Sequence, residues 1–138
     1  VASLIETLGA IHDRRARASE LAEELRGELA SMPKRTFTFA VPIWKKPWMW
    51  CGRDTYVAQL VEAAGGINVI DGDRYPGIEL ADVVAKKPDI VFLPDEPYVF
   101  TADDANEIDA NVVGPFPGHL FTWHGTRTIL GLRFLRAF

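Results

Sequence analysis

Apolar residues open the chain at spacings of three, four and seven: Leu4, Leu8, Ile11, Ala18, Leu21, Leu25 and Leu29. That period predicts one amphipathic helix over Ser3–Ala30. Asp13 through Arg17, then Glu20, Glu23, Glu24, Arg26 and Glu28, occupy much of its other surface. At 1.5 Å of rise per residue the helix would be about 40 Å long, more than a small domain needs. Gly9 and Gly27 each weaken it by up to about 1 kcal/mol relative to alanine, so tertiary packing must hold it. Pro33 ends it.

Beyond Pro33 the pattern switches between periods of two and 3.6. Thr36–Ile43, rich in β-branched and aromatic residues, predicts a strand. Asp54 is placed to cap a helix over Thr55–Ala64 with Val57, Leu60, Val61 and Ala64 facing inward, and Gly65-Gly66 ends it. Asn68–Ile70 predicts a short strand, Asp71–Gly77 a turn-rich loop, and Glu79–Lys86 a short helix stopped by Pro88. Asp89–Leu93 predicts a buried strand, Thr101–Asp109 an acidic helix capped by Thr101, and Asn111–Phe116 a fourth strand. Thr126–Phe138 predicts a final helix with Ile129, Leu132, Phe134 and Leu135 toward the core.

Strands alternating with helices predict an α/β fold: a Rossmann-like, three-layer unit with a mostly parallel sheet of about four strands, covered on both faces. The organisation expected is a long helix over residues 1–32 and an α/β unit over residues 33–138. In open α/β sheets ligands bind outside the carboxyl ends of the strands. The loops of interest are therefore Trp44–Arg53, Pro94–Phe100 and Pro117–Arg127.

Composition narrows the chemistry. The 138 residues fit one domain, and 48% hydrophobic with 25% charged is ordinary for a globular core. A net charge of −4 supplies no general attraction to nucleic acid or anionic membrane. The single Cys51 excludes an internal disulfide and a multi-cysteine metal site. No run of about 18 apolar residues predicts a membrane span. Val1-Ala2-Ser3 leads straight into a helix, an abrupt start that leads us to expect a preceding segment.

Several chemistries find no support. Ser3, Ser19 and Ser31 all belong to the first helix or its end, so no nucleophile elbow exists. Gly65-Gly66 ends a helix instead of opening one around a phosphate. Asp71-Gly72-Asp73 begins like a calcium loop, but Pro76 stands where the EF-hand needs glycine and Asp82 where it needs glutamate. His119 and His124 have no neighbouring Cys or Glu to complete a zinc site, and His12 lies on the first helix. Cys51 among aromatic residues reads as inert, because reactivity needs a lowered pKa.

The aromatic loop is the most informative segment. Trp44-Lys45-Lys46-Pro47-Trp48-Met49-Trp50-Cys51 holds three of the four tryptophans, directly after the first strand. Tryptophan offers large rigid contact area and methionine an adaptable apolar one, so the loop reads as a ligand-contacting surface; the competing reading packs these rings on the sheet. Phe121 through Thr128 forms a second cluster, in which Arg127 sits in the first turn of the last helix, opposed by the helix dipole. Its partner is either an anionic ligand or an internal acid, Asp95 or Glu96. Those two carboxylates read as partners of Arg53 or Arg127 or as solvent-facing groups, with a general acid–base pair as the other reading.

At these loops the sequence resembles a known family. Pro42-Ile43-Trp44 through Trp48-Met49, Gly52, Asp54-Thr55-Tyr56, Ala64-Gly65-Gly66-Ile67-Asn68-Val69, Arg74-Tyr75-Pro76, Lys87-Pro88-Asp89-Ile90-Val91, Pro94 through Tyr98 and Trp123 through Thr128 are similar to the C-terminal lobe of class III substrate-binding proteins. These are the helical-backbone receptors of bacterial ABC importers for cobalamin, haem and ferric siderophores. The likeness spans nearly the whole chain, and the first helix resembles the rigid linker between that family's two lobes. The resemblance implies a non-enzymatic binding module with no cofactor of its own. It implies a cleft between lobes of which this chain forms one wall, built from Trp44, Trp48, Met49, Trp50, Tyr75, Trp123 and Arg127. It further implies a metal-chelate ligand, an ABC permease partner, and a periplasmic or extracellular location with or without a lipid anchor. Family members dock on the permease through a surface glutamate; here that position falls near Ala81, flanked by Glu79 and Asp82. A face left bare by an absent lobe would favour self-association. Two other readings stand beside this one: a small enzyme acting on an anionic or nucleotide-like substrate through Asp95, Glu96 and Arg127, and single-stranded nucleic acid binding through Lys45, Lys46 and the tryptophans.

Overall fold

The computed structural model describes residues 1–138. Two helices come first, α1 (Ala2–Ile11) and α2 (Arg15–Ala30). The single helix expected over Ser3–Ala30 is therefore broken. Asp13 adopts a left-handed conformation, φ 51°, and the Arg14 N–H bonds the Gly9 carbonyl at 2.7 Å, which closes α1 as a Schellman turn. The two helices fold into a hairpin. Arg26 reaches Glu6 at 2.7 Å, although the two would stand about 30 Å apart on one straight helix. Gly9 makes the close crossing possible, since a Cβ there would lie 2.2 Å from that of Ala18. The hairpin buries Ile5, Ala18, Ala22 and Leu25 and leaves Leu4, Leu8 and Ile11 exposed, so only part of the apolar stripe turns inward.

The sheet runs β4 (Gly66–Asn68), β1 (Phe37–Ala40), β5 (Ile90–Pro94), β6 (Val112–Phe116), every pair parallel. This is the α/β architecture of about four parallel strands that the sequence predicts. The connecting helices are α3 (Tyr56–Glu62), α4 (Leu80–Ala85) and α5 (Ala102–Asn106), with α6 (His119–Thr122) and α7 (Arg127–Ala137) after the last strand. Strand β5 is buried along its length and feeds both cores. Ile90 and Phe92 join Phe37 and Phe39 under Leu25 of α2, Leu60 and Val61 of α3, and Leu132 and Leu135 of α7. Val91 and Leu93 point the other way, to Trp50, Ile70, Val83, Phe100 and Ile108.

Charge holds the hairpin to this unit. Glu28 of α2, only 8% exposed, accepts from Arg133 and Arg136 of α7 at 2.6 Å each, and Arg133 also reaches Glu24. The Glu28 hydrogen bond, with Glu24 behind it, raises the Arg133 pKa above its ordinary value.

Other boundaries shift for local reasons. The strand expected over Thr36–Ile43 divides: β1 stays in the sheet, while Pro42–Trp44 (β2) leaves it to pair antiparallel with Met49–Trp50 (β3). Pro42, with no N–H to donate, stands at the start of the new strand. Thr55, not Asp54, caps α3, its hydroxyl accepting from the Ala58 N–H at 3.2 Å. Asp54 instead accepts from the Arg74 N–H across the neighbouring loop. The strand expected over Asn68–Ile70 begins at Gly66, so Gly65-Gly66 joins α3 to β4 with almost no intervening loop. Thr101 caps α5 as expected, in a reciprocal pair with Asp104.

Candidate functional site

From β1 the chain moves to β4 on one side, then crosses to β5 on the other. The connections after β1 and β5 thus diverge, leaving a crevice at the carboxyl ends of these two strands. An open groove of about 300 Å³ lies there. Ile43 of β2 and the Glu96–Pro97 turn after β5 form part of its wall, Tyr75 another, and Thr122 with His124 a third; Tyr56 and Val57 line it from α3.

Each wall is held by its own contacts. The Tyr75 loop is zipped to the segment before α3: the Gly52 N–H bonds the Arg74 carbonyl at 2.7 Å and the Arg53 N–H that of Gly72 at 3.0 Å. Only glycine fits at position 52, because a Cβ would lie 2.5 Å from the Gly72 oxygen and 2.9 Å from that of Arg74. The Asp95 carboxylate accepts from the Gly118 N–H at 2.7 Å, joining the loops after β5 and β6. Glu96 accepts from the Trp123 indole N–H at 3.2 Å. Tyr56 shares a hydrogen bond with Thr128 at 2.7 Å, and its ring lies 4.1 Å from that of His124. Burial raises the Tyr56 pKa, so its hydroxyl stays protonated at neutral pH.

The expected site residues separate. Tyr75, 44% exposed, lines the groove; Trp44, Trp48, Met49, Trp50, Trp123 and Arg127 do not. Trp123, 54% exposed, stands beside it through its bond to Glu96. Trp44, also exposed, begins a run of rings: Trp44 meets Tyr98 edge-on at 5.3 Å, Tyr98 meets Phe100 at 4.7 Å, and Trp48 stacks between Phe100 at 6.0 Å and Trp50 at 5.6 Å. Met49 is half-buried in the hairpin, its backbone bridged to Gly77. Trp50 corrects the reading of the aromatic loop as one open surface. It is fully buried, with its indole N–H bonded to the Ile78 carbonyl at 2.9 Å, and serves the second core.

Arg127 is exposed at the start of α7 and forms no ion pair with Asp95 or Glu96, contrary to the internal pairing considered for it. Nor does Arg53 reach them; its salt bridge is to Asp73 at 3.7 Å. Asp95 and Glu96 are each occupied in joining loops, so no observation favours them as an acid–base pair. Lys45 is unavailable to a phosphate backbone: it is buried between Asp104 at 2.5 Å and Glu107 at 2.7 Å, and lies over the Trp48 ring. Those hydrogen bonds, Asp104 first, raise the Lys45 pKa, while Lys45 foremost holds the Asp104 carboxyl below its ordinary value. Asp71 pairs with Lys86 at 2.6 Å, and no group of three His, Cys, Asp or Glu side chains is gathered to hold a metal ion.

Ile43 and Tyr56 line the groove without having been singled out from sequence as contact residues, while His124 falls within the segment Trp123–Arg127 that the family resemblance implies. Tyr56 reads as one more residue of a helix start. Only the approach of α3 to the loop after β6 turns its ring into a groove wall.

Searches of protein-family models and of curated protein sequences return no match. Solved structures do match. The periplasmic heme-binding protein of Roseiflexus sp. RS-1 superposes with a TM-score of 0.81 at 19% identity, over 99% of this chain and 60% of that one. A possible iron-binding, periplasmic solute-binding protein of Staphylococcus epidermidis matches at 0.73 and 19% identity, over 99% and 60%. The periplasmic vitamin B12 binding protein of Vibrio cholerae matches at 0.66 and 15% identity, over 99% and 59%. The fold is that of part of a periplasmic solute-binding protein. The chain spans about 60% of the length of these structures, and at such identities the likeness concerns the fold. No helix is long and apolar enough to cross a membrane.

Proposed function

We propose that this chain is the second lobe, with its helical connection, of a substrate-binding protein serving a bacterial ABC importer outside the cytoplasmic membrane. The observation that carries this reading is the groove at the crossing point of a parallel sheet, walled by Tyr56, Tyr75 and His124 with Trp123 beside it. The shared fold with heme-, iron- and B12-binding proteins supports it. The groove is open, suited to a broad, rigid ligand laid against aromatic edges, with a second wall supplied from outside residues 1–138. A metal chelate such as haem, cobalamin or a ferric siderophore meets that description. Ligand contact in this reading comes from Tyr75 and Trp123, with Trp44 and Arg127 at the margin. Glu79 and Asp82, both exposed at the start of α4, are the proposed contacts for the permease.

Tryptophan fluorescence tests the ligand class, because Trp44 and Trp123 are exposed. The intact protein containing this chain is titrated with haemin, cobalamin and a ferric hydroxamate, with free tryptophan as the optical control. Saturable quenching by one of them is expected, weakened roughly tenfold or more by Tyr75→Ala or Trp123→Ala, as truncation of aromatic anchors does elsewhere. Absence of saturable quenching by all three refutes the reading.

A further inference from the structure

A second groove, of about 450 Å³ and more open than the first, lies between the α1–α2 hairpin and the loop before α7. It shares only His124 with the first and has a different chemistry. His12, Arg14, Arg17 and His124 line it, and no aspartate or glutamate does. In a chain of net charge −4 this is a local reversal of sign. Arg14 has no carboxylate partner, and the single partner of Arg17 is Glu20 at 2.9 Å, an exposed pair of the kind that stabilises little. The rest of the lining is largely aliphatic, and includes Leu4 and Leu8, which stand 51% and 46% exposed.

We infer that this second groove binds an amphipathic organic anion, a carboxylate carried on an aliphatic chain. The guanidinium groups of Arg14 and Arg17 match a carboxylate through paired, charge-assisted hydrogen bonds. The leucines supply what a bare inorganic anion would leave uncovered, and the volume lies within the usual range for small-ligand pockets. The inference does not depend on the transport reading. It rests on the helix hairpin, which brings Arg14 and Arg17 opposite the 124–126 segment.

Nitrogen–proton correlation spectra of the intact protein containing this chain, isotopically labelled, test it, with octanoate, 1-octanol and acetate as probes. Octanoate is expected to shift the Gly9 and Gly125 amides saturably, with far weaker responses to octanol, which lacks the charge, and acetate, which lacks the chain. Arg14→Gln and Arg17→Gln should each weaken octanoate by roughly tenfold, the scale of one lost charge-assisted contact. Unchanged spectra elsewhere show that both variants stay folded. The inference is overturned if octanoate gives no saturable shift, if octanol binds equally well, or if both variants bind as the parent does. Shifts confined to Ile43 and Tyr75 overturn it too, since they report the first groove.

Discussion

Three residues show how burial decides chemistry. Cys51 lies at the base of the aromatic loop, fully buried, and burial pushes its thiol up to about 12 despite a hydrogen bond with Thr55. At pH 8 roughly one thiol in ten thousand would be ionised. We expect no reaction of the native protein with a disulfide reagent such as dithionitrobenzoate, and one full equivalent once it is unfolded; prompt native reaction would show an open site. Trp50, from the same loop, is a core residue for the same reason. Gly52 is set by a backbone approach that no side chain tolerates. Gly52→Ala should cost about 1–3 kcal/mol of stability, the usual penalty for overpacking. It should also weaken ligand binding at Tyr75, because the strained contact lies in the zipper that holds the Tyr75 loop. Denaturant melts and the fluorescence titration read the two effects separately.

At the scale of elements, the β2–β3 hairpin is anchored by a buried lysine. Lys45 ties it to α5 through Asp104 and Glu107. Asp104 also completes the α5 capping box, so one carboxylate fixes a helix start and a hairpin together. Its pKa is held below the ordinary 3.8, so its stabilisation is present above that value and lost as pH falls through the lower folded value. Asp71 and Asp89 are held low as well, by Lys86 and by Thr38, and add to the same acid transition. Lys45, raised above 10.5, keeps its contribution below that pH and loses it as pH rises through the folded value. Asp104→Asn is therefore expected to lower stability at pH 7 by about 1–3 kcal/mol, since Glu107 still pairs with Lys45. It should also flatten the fall of Tm below pH 4. Melting curves from pH 2 to 7 check this; parallel profiles for the two proteins would show that Asp104 is not the linked group.

At the scale of the whole molecule, two ligand-sized spaces flank the loop before α7. The groove sits where an open parallel sheet leaves a crevice, and the second, cationic groove sits where the hairpin meets the 124–126 segment. His124 belongs to both, so filling one should be felt at the other. Haemin bound in the groove of the intact protein is therefore expected to change its octanoate affinity, and octanoate to change its haemin affinity by the same factor. Calorimetric titration in each order checks the reciprocity; equal affinities with and without the other ligand would show that His124 transmits nothing.

Much of the fold is legible in the residues themselves. A period of 3.6 marks α3 and α7, because each buries one face and that burial writes itself along the chain, while continuous apolar, β-branched runs between turn signals mark β1 and β5, the latter buried on both faces. The Thr101 cap is equally local. The carboxyl-end loops follow from strand–helix alternation, and with them Trp123 as a candidate; Tyr75 lies outside those loops and comes only from the family resemblance. What only the tertiary structure decided depends on partners distant in sequence. The break at Asp13 leaves the apolar stripe intact, so periodicity does not register it. Trp44, Trp48 and Trp50 share one loop, yet they divide between surface and core according to what Phe100 and the Ile78 carbonyl offer them. Tyr56 and His124 became a wall only when α3 met the loop after β6. Local periodicity records which face is buried; it carries no information about which distant segment covers it.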